Sequence, residues 1–269
     1  MDNHSDSAFL IAHMSDLHVL AEGELAYGTV DTTPMVERAI AHLAKLSPAA
    51  VVITGDLVHH VQKAEYIRLK KMLTQLTMPV YLIPGNHDSR ELIRETFTNH
   101  TYLPVTGFIH YTIETYPLRL IMLDTNVPGE GRGELDSDRL TWLDHQLSHQ
   151  PDRPTLIFMH HPPFATGIEL MDGFSLSGHQ ALANIVKKYD CIKRIGCGHI
   201  HRPIQTLWAK TLAYTVPSPV HQVSLDLSNQ STTFTMEPPA YCVHLWQPDA
   251  ELVSHTQYID QYEGPYSFF

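Results

Sequence analysis

Five short apolar runs in this chain have β-strand composition, and each empties into side chains of metal-ligand type. Phe9-Leu10-Ile11-Ala12-His13-Met14 runs into Ser15-Asp16-Leu17-His18, and Val51-Val52-Ile53-Thr54 into Gly55-Asp56. Val80-Tyr81-Leu82-Ile83 leads to Pro84-Gly85-Asn86-His87-Asp88, where a glycine lets the backbone turn sharply off a sheet. Thr155-Leu156-Ile157-Phe158-Met159 delivers His160-His161-Pro162-Pro163, and Lys193 to Cys197 delivers Gly198-His199-Ile200-His201. Residues two apart in extended chain point the same way, so Asp16 and His18 can reach one point beyond a strand end. Open α/β sheets bind their ligands at carboxyl ends of strands. A chain written this way must bring those ends together.

The intervening segments supply helices. Thr33 is a plausible N-cap with Pro34 at the first helical position, and Met35, Ala39, Leu43 and Leu46 give an apolar stripe. A helix from about Lys63 to Leu76 returns the chain to Val80. Asp88 with Glu91, and Ser177 with Gln180, have capping-box spacing; the second opens a helix to about Tyr189. His110 to Tyr116 and Arg119 to Leu123 read as a hairpin, residues 128–134 as a loop, and Ser137 to His149 as a helix. After Pro203 the pattern becomes closely spaced strands: Ile204 to Leu207, Leu212 to Val216, Tyr241 to Leu245 and Glu251 to Tyr258. Ser224 to Thr235 reads as an exposed loop or a protruding hairpin. Strands alternating with helices, then antiparallel strands, predict a mixed-sheet α/β layer sandwich.

Composition narrows the function. The 269 residues can bury a large core, with 43% hydrophobic and 17% charged residues. Lys+Arg 18 against Asp+Glu 29 gives a net charge of -11, which disfavours a nucleic-acid or anionic-membrane surface and hence a nuclease. No apolar run approaches the roughly 20 residues of a membrane span. The start, Met1-Asp2-Asn3-His4-Ser5-Asp6, lacks the positive charge of a signal peptide. Cys191, Cys197 and Cys242 have no metal or disulfide spacing and are expected to be reduced and buried in a cytoplasmic protein.

Carboxylate, amide and imidazole without thiolate suit Mn, Fe, Co or Zn. Seven such groups, Asp16, His18, Asp56, Asn86, His160, His199 and His201, exceed one tetrahedral site and match two ions sharing a carboxylate. Paired metals of this kind clamp the attacking and leaving oxygens of in-line displacement at phosphorus.

The blocks Asp16-Leu17-His18, Gly55-Asp56, Gly85-Asn86-His87-Asp88, His160-His161-Pro162-Pro163 and Gly198-His199-Ile200-His201 resemble, in order, those of the calcineurin-like metallophosphoesterase superfamily. The flanking text, Ala12-His13-Met14-Ser15-Asp16, Tyr27-Gly28, Tyr81-Leu82-Ile83-Pro84 and Val220-His221-Gln222-Val223, is similar to the bacterial glycerophosphodiesterases of the class III cyclic-nucleotide phosphodiesterase group. The resemblance implies a four-layer αββα sandwich of two mixed sheets, the metallophosphoesterase fold, with a small C-terminal cap or dimerisation segment. Residues 1–203 would be the catalytic domain and 204–269 the strands completing the sandwich plus that segment.

It also implies that two divalent or trivalent transition-metal ions (Fe, Mn, Zn or Co) are held, the first by Asp16, His18 and His201 and the second by Asn86, His160 and His199. Asp56 would bridge them. His87 would face the phosphoryl group, with Asp88 as its orienter. A metal-bound hydroxide, terminal or bridging, would attack small phosphodiesters such as glycerophosphodiesters or 3',5'-cyclic nucleotides. His161 either lines the pocket or supports it, and His221 approaches the substrate or a dimer neighbour. His59 and His60 are expected at the rim, and Asp124 is read as a loop carboxylate. The expected partners are a small phosphodiester and further copies of the chain, as a dimer or higher oligomer. The competing readings are a phosphomonoesterase or nucleotide hydrolase, and a scaffold that keeps the fold without metals.

Overall fold

Leu120, Met122, Leu156 and Phe158 pack in one apolar core while Ile121, Leu123, Ile157 and Met159 pack in another. The two-residue repeat of extended chain has sorted neighbours onto opposite faces of one sheet. A computed structural model describes residues 8–228, 233–247 and 252–268. Its elements begin β1 (Phe9–Met14), α1 (Thr33–Leu46), β2 (Ala50–Ile53), α2 (Lys63–Leu73), β3 (Val80–Leu82), α3 (Arg90–Thr96), β4 (Tyr111–Ile113) and β5 (Arg119–Leu123). They continue through β6 (Gly133–Glu134), α4 (Ser137–His149), β7 (Thr155–Met159), α5 (Glu169–Gly173), β8 (Leu176–Ser177), α6 (His179–Val186) and β9 (Ile192–Cys197). The chain closes with β10 (Ile204–Trp208), β11 (Thr211–Thr215), β12 (Gln222–Val223), β13 (Phe234–Thr235), β14 (Ala240–Trp246) and β15 (Val253–Tyr258).

One sheet has the order β15-β14-β1-β2-β3 and the other β10-β11-β9-β7-β5-β4. The first is parallel through β1, β2 and β3 and antiparallel at β14 and β15; the second is parallel through β5, β7, β9 and β11. Helices α1 and α2 cover the first sheet through Val36, Ile40, Leu43, Tyr66 and Leu69. Helices α4 and α6 cover the second through Leu143, Leu147, Leu182, Ile185 and Val186. The result is the four-layer αββα sandwich. Cys191, Cys197 and Cys242 are free and buried. Among the described residues no helix is long and apolar enough to cross a membrane.

Several boundaries differ from expectation for local reasons. Thr32, not Thr33, precedes α1. Helix α2 stops at Leu73 and gives way to tight turns through Leu76. Ser89 caps α3 by accepting from the Leu92 amide at 3.3 Å, because the Asp88 carboxylate is engaged elsewhere. Ser177 belongs to β8, which pairs with β6 inside the expected 128–134 loop. Helix α6 instead starts after Gly178 at φ 83° and ends at Val186. β12 and β13 form the hairpin alternative for the Ser224–Thr235 interval, whose residues 229–232 lie outside the described set. Glu251, expected to begin the last strand, also lies outside it.

The two sheets meet partly through polar groups. His13 of β1 contacts the Thr54 hydroxyl at 2.9 Å and the Tyr214 hydroxyl at 3.0 Å, and that hydroxyl lies 2.8 Å from His244 Nε2. Burial, reinforced by His244, holds His13 well below its ordinary value, and burial with Arg194 pulls His244 down to about 3. Both rings are neutral in the fold, whereas unfolded histidine protonates near about pH 6.5. The unfolded state therefore binds more protons below that point. The stability contribution is complete above about pH 6.5 and declines as pH falls, by about 1.4 kcal/mol per pH unit for each group. In urea unfolding between about pH 6 and 4.5, His244→Phe is expected to flatten the wild-type slope by about that amount; equal slopes in the two proteins would contradict it.

Candidate metal centre

Strand register aligns the ends that carry the polar blocks. Met14 lies beside Ile53 and Ile53 beside Leu82 in one sheet; Phe158 lies beside Gly196 in the other. Beyond those ends the loops are tied together by backbone. The Asp16 amide donates to Gly55 O, the His18 amide to Asp56 O and the Gly198 amide to His160 O, each at 3.0 Å. Asp16, His18, Asp56, His199 and His201 all adopt positive φ, at 59°, 44°, 47°, 70° and 52°. They are half of the ten described non-glycine residues that do so. Each costs roughly 1–2 kcal/mol, so strain is concentrated where the side chains converge. Glycine makes the approach possible: a Cβ on Gly85 would overlap Asp56 and lie 2.8 Å from the His160 ring.

Two clusters result. Ligand atoms of Asp16, His18, Asp56 and His201 all lie within 4.8 Å of one another. His18 Nε2 is 3.1 Å from His201 Nε2 and 3.6 Å from Asp56 Oδ2, and His201 Nε2 is 3.4 Å from Asp16 Oδ1. In the second cluster, His160 Nε2 is 2.9 Å from Asn86 Oδ1 and 3.4 Å from Asp56 Oδ1, and His199 Nδ1 is 3.0 Å from Asn86 Oδ1. The two oxygens of Asp56 thus face different clusters.

The donor set fits cations. His160 donates Nδ1–H to Thr54 O at 2.7 Å, so in its neutral form Nε2 turns a lone pair toward the Asn86 and Asp56 oxygens. His201 likewise gives Nδ1–H to His221 O at 3.1 Å, leaving its Nε2 lone pair facing the first cluster. Burial lowers the pKa of His18, His160, His199 and His201, which keeps them in the ligand form. Asp16 and Asp56 are buried carboxylates with no Lys or Arg partner among the described residues. Burial and the Asp56 charge push Asp16 well above the usual carboxylate range. Burial pushes Asp56 upward too, but His160 and His87 outweigh it and hold Asp56 low. Two buried acids in one small volume, without a Lys or Arg partner among the described residues, are short of the positive charge that metal ions bring.

The neighbouring groups are distributed differently from expectation. His87 is oriented by its Nδ1–H bond to His59 O at 2.8 Å, not by Asp88. The Asp88 carboxylate instead accepts from the Leu57 and Gly85 amides at 3.1 and 2.9 Å and from the Tyr66 hydroxyl at 3.0 Å. It fastens the Asp56 and Asn86 turns together, and burial beside Asp56 raises it to about 7. His161 does not line the cavity. It is fully buried, with Nδ1 2.8 Å from the Thr125 hydroxyl and Nε2 3.2 Å from Gly131 O, which makes it a support for the wall. His59 is buried instead of sitting at the rim, with Nδ1 3.2 Å from His18 Nδ1. Asp124 is no ordinary loop carboxylate: it pairs bidentately with Arg90 at 2.6 and 2.8 Å, and Asn126 donates to Gly85 O beside the Asn86 turn.

The clusters open into a cavity of about 490 Å³. His87 and His221 line it together with Tyr27, Phe174 and Phe234. Among the described residues His221 Nδ1 is buried without a hydrogen-bond partner, and its ring centroid lies 4.6 Å from that of His201. A larger cavity of about 690 Å³ sits beside the start of β3 and contains none of the clustered groups. The chemistry therefore belongs to the smaller one.

A carboxylate shared between two nitrogen- and oxygen-rich clusters, at the joined strand ends of an αββα sandwich, defines a metal-dependent phosphoester hydrolase. The chain belongs to the calcineurin-like phosphoesterase family, which matches residues 9–203. It is 38% identical over 264 residues to a probable glycerophosphodiester phosphodiesterase of Arcobacter nitrofigilis, covering 97% of each chain. It is 32% identical to a glycerophosphodiester phosphodiesterase of Enterobacter lignolyticus, covering 96% of this chain and 94% of the relative. A probable cyclic nucleotide phosphodiesterase of Rhodopseudomonas palustris is 31% identical over 94% of this chain and 93% of its own. Among solved structures, a dimetal phosphatase from Danio rerio shares the fold with a TM-score of 0.65 at 16% identity, covering 93% of this chain and 99% of its own.

Because Gly85 has no room for a side chain against Asp56, Gly85→Ala is expected to lower unfolding stability by about 1–3 kcal/mol. An unchanged urea midpoint would show that the two turns are not packed this closely.

Proposed function

We propose that this enzyme hydrolyses small phosphodiesters, with Asp16, His18, Asp56 and His201 holding one metal ion and Asp56, Asn86, His160 and His199 the other. The observation that carries the proposal is the division of Asp56, whose Oδ2 is 3.6 Å from His18 Nε2 and whose Oδ1 is 3.4 Å from His160 Nε2. The ions, of the Fe, Mn, Zn or Co type by their nitrogen and oxygen donors, supply an acidified water and positive charge for the phosphoryl oxygens when bound. Asn86 is a neutral ligand, so the second ion is held more loosely than the first.

His87 is the proton donor. Burial works against its cation, but the Asp56 charge and the His59 carbonyl outweigh burial and raise its pKa. With Nδ1–H committed to His59 O, protonated His87 offers Nε2–H to the phosphoryl group or the leaving alkoxide. His221, lowered to about 4 chiefly by burial, is neutral and contacts the substrate from the cavity lining. Asp88 acts through the two turns it joins. Among the described residues no Lys or Arg lines the cavity, which favours the single charge of a diester over the dianion of a monoester.

The names of the relatives point to glycerophosphodiesters and cyclic nucleotides as substrates. Residues 1–203 form the catalytic domain in this reading. In residues 204–269 the β12–β13 hairpin caps the cavity, and the exposed Leu225 and Met236 belong to a contact with a second copy in a cytoplasmic oligomer; a monomer in light scattering would refute that contact.

Bis(p-nitrophenyl) phosphate is expected to be hydrolysed with at least about tenfold higher kcat/KM than p-nitrophenyl phosphate, and Asp56→Ala to lower the diester rate by about 100-fold or more. Preference for the monoester, or full activity in Asp56→Ala, would sink the assignment.

A further inference from the structure

The metal clusters occupy only the floor of the 490 Å³ cavity, and its upper walls have a different chemistry. Tyr27 and Phe234 form one wall, with ring centroids 5.1 Å apart and planes tilted by 32°. Phe174, the residue just after α5, lines the same cavity. These rings are 53%, 37% and 40% exposed, although each is large enough to favour burial.

Each ring is held in place by its surroundings. Phe174 lies over Gly131, where a Cβ would come within 2.9 Å of the ring, and Gly131 O is bonded by buried His161. Phe234 is fixed opposite Val223 by the β12–β13 register, and Val223 lines the cavity too. Tyr27 sits edge-on to His59 and His221, at 5.1 and 5.3 Å. Among the described residues, the upper cavity offers the Tyr27 and Thr233 side chains and the His221 ring to hydrogen-bond, and no Lys or Arg to meet an anionic arm.

From these walls we infer that Tyr27, Phe174 and Phe234 form an uncharged aromatic clamp, which selects diesters carrying one planar aromatic or heteroaromatic arm. The clamp rests on the phosphodiesterase reading and adds to it a basis for choosing among diesters. An arm bearing several hydroxyls would leave them unpaired against the rings. A planar arm would replace water on ring faces that are otherwise half exposed, worth about tenfold in affinity for a partly buried ring.

The test keeps a non-aromatic leaving group constant and varies the arm that remains, using O-phenyl S-methyl and O,S-dimethyl phosphorothioate with the metal-loaded enzyme and following release of methanethiol. Phe234→Ala and Phe174→Ala are each expected to lower the phenyl-to-methyl ratio of kcat/KM by about fivefold to tenfold, mostly through KM, with Phe234→Leu recovering part of the loss. Comparing variants by this ratio cancels the intrinsic reactivity of the two esters and any general loss of folded protein. A ratio unchanged within about twofold would overturn the clamp. Calorimetry with diphenyl and dimethyl phosphate separates the two readings. Loss of diphenyl phosphate binding in Phe234→Ala, in a protein that hydrolyses neither ester, would uphold the clamp and refute the phosphodiesterase assignment. Equal binding of the two phosphates by the wild type would refute the clamp whatever the hydrolysis.

Discussion

Asp56 is buried with its two oxygens turned toward different sets of imidazoles, and most of the surrounding architecture serves to keep it there. A carboxylate in that position is unfavourable without positive charge nearby. None of the described Lys or Arg side chains pairs with it; its contacts are His18, His160 and the His87 amide. Asp16, equally buried, adds a second acid to the same small volume. The fold tolerates this concentration of acid because the imidazoles around it are available as ligands, and because two cations would neutralise what the protein leaves uncompensated.

Holding seven such groups together takes backbone strain as well as side-chain contacts. Five of the seven residues sit at positive φ, and glycines at 55, 85 and 198 lie where a side chain would collide with a neighbouring turn. Further groups brace the turns from behind. Asp88 joins the amides of Leu57 and Gly85, while the Arg90–Asp124 pair and Asn126 fix the start of α3 to the end of β5. Preorganisation of this kind limits how far the ligands can relax apart, which matters for a site whose charges repel.

The strand ends were legible because each apolar run is short, is followed at once by Gly or polar residues, and has no competing helical period. The αββα layering follows from the resemblance, not from periodicity, and the pairing order is not legible at all, since local pattern says nothing about which strands are neighbours. The caps differ from expectation where a better-placed residue competes. Asp88 and Ser89 both suit a cap, and the outcome depended on the Leu57 amide and Tyr66 hydroxyl, more than twenty residues away in sequence. His161 and His59 show the same limit: their neighbours Gly131 and His18 are distant in sequence, so support could not be told from lining. Helix α5 is five residues long, too short for any periodicity, and the Phe174 that follows it was not anticipated as a cavity wall.

Metal stoichiometry of the purified protein, measured by elemental analysis on wild type and Asp56→Ala side by side, bears most directly on the shared carboxylate. The account predicts about two transition-metal ions per chain in the wild type and a clear loss in the variant, since both clusters lose a ligand at once. A single ion retained equally by both proteins, or a wild type that binds none when metal is supplied, would contradict it.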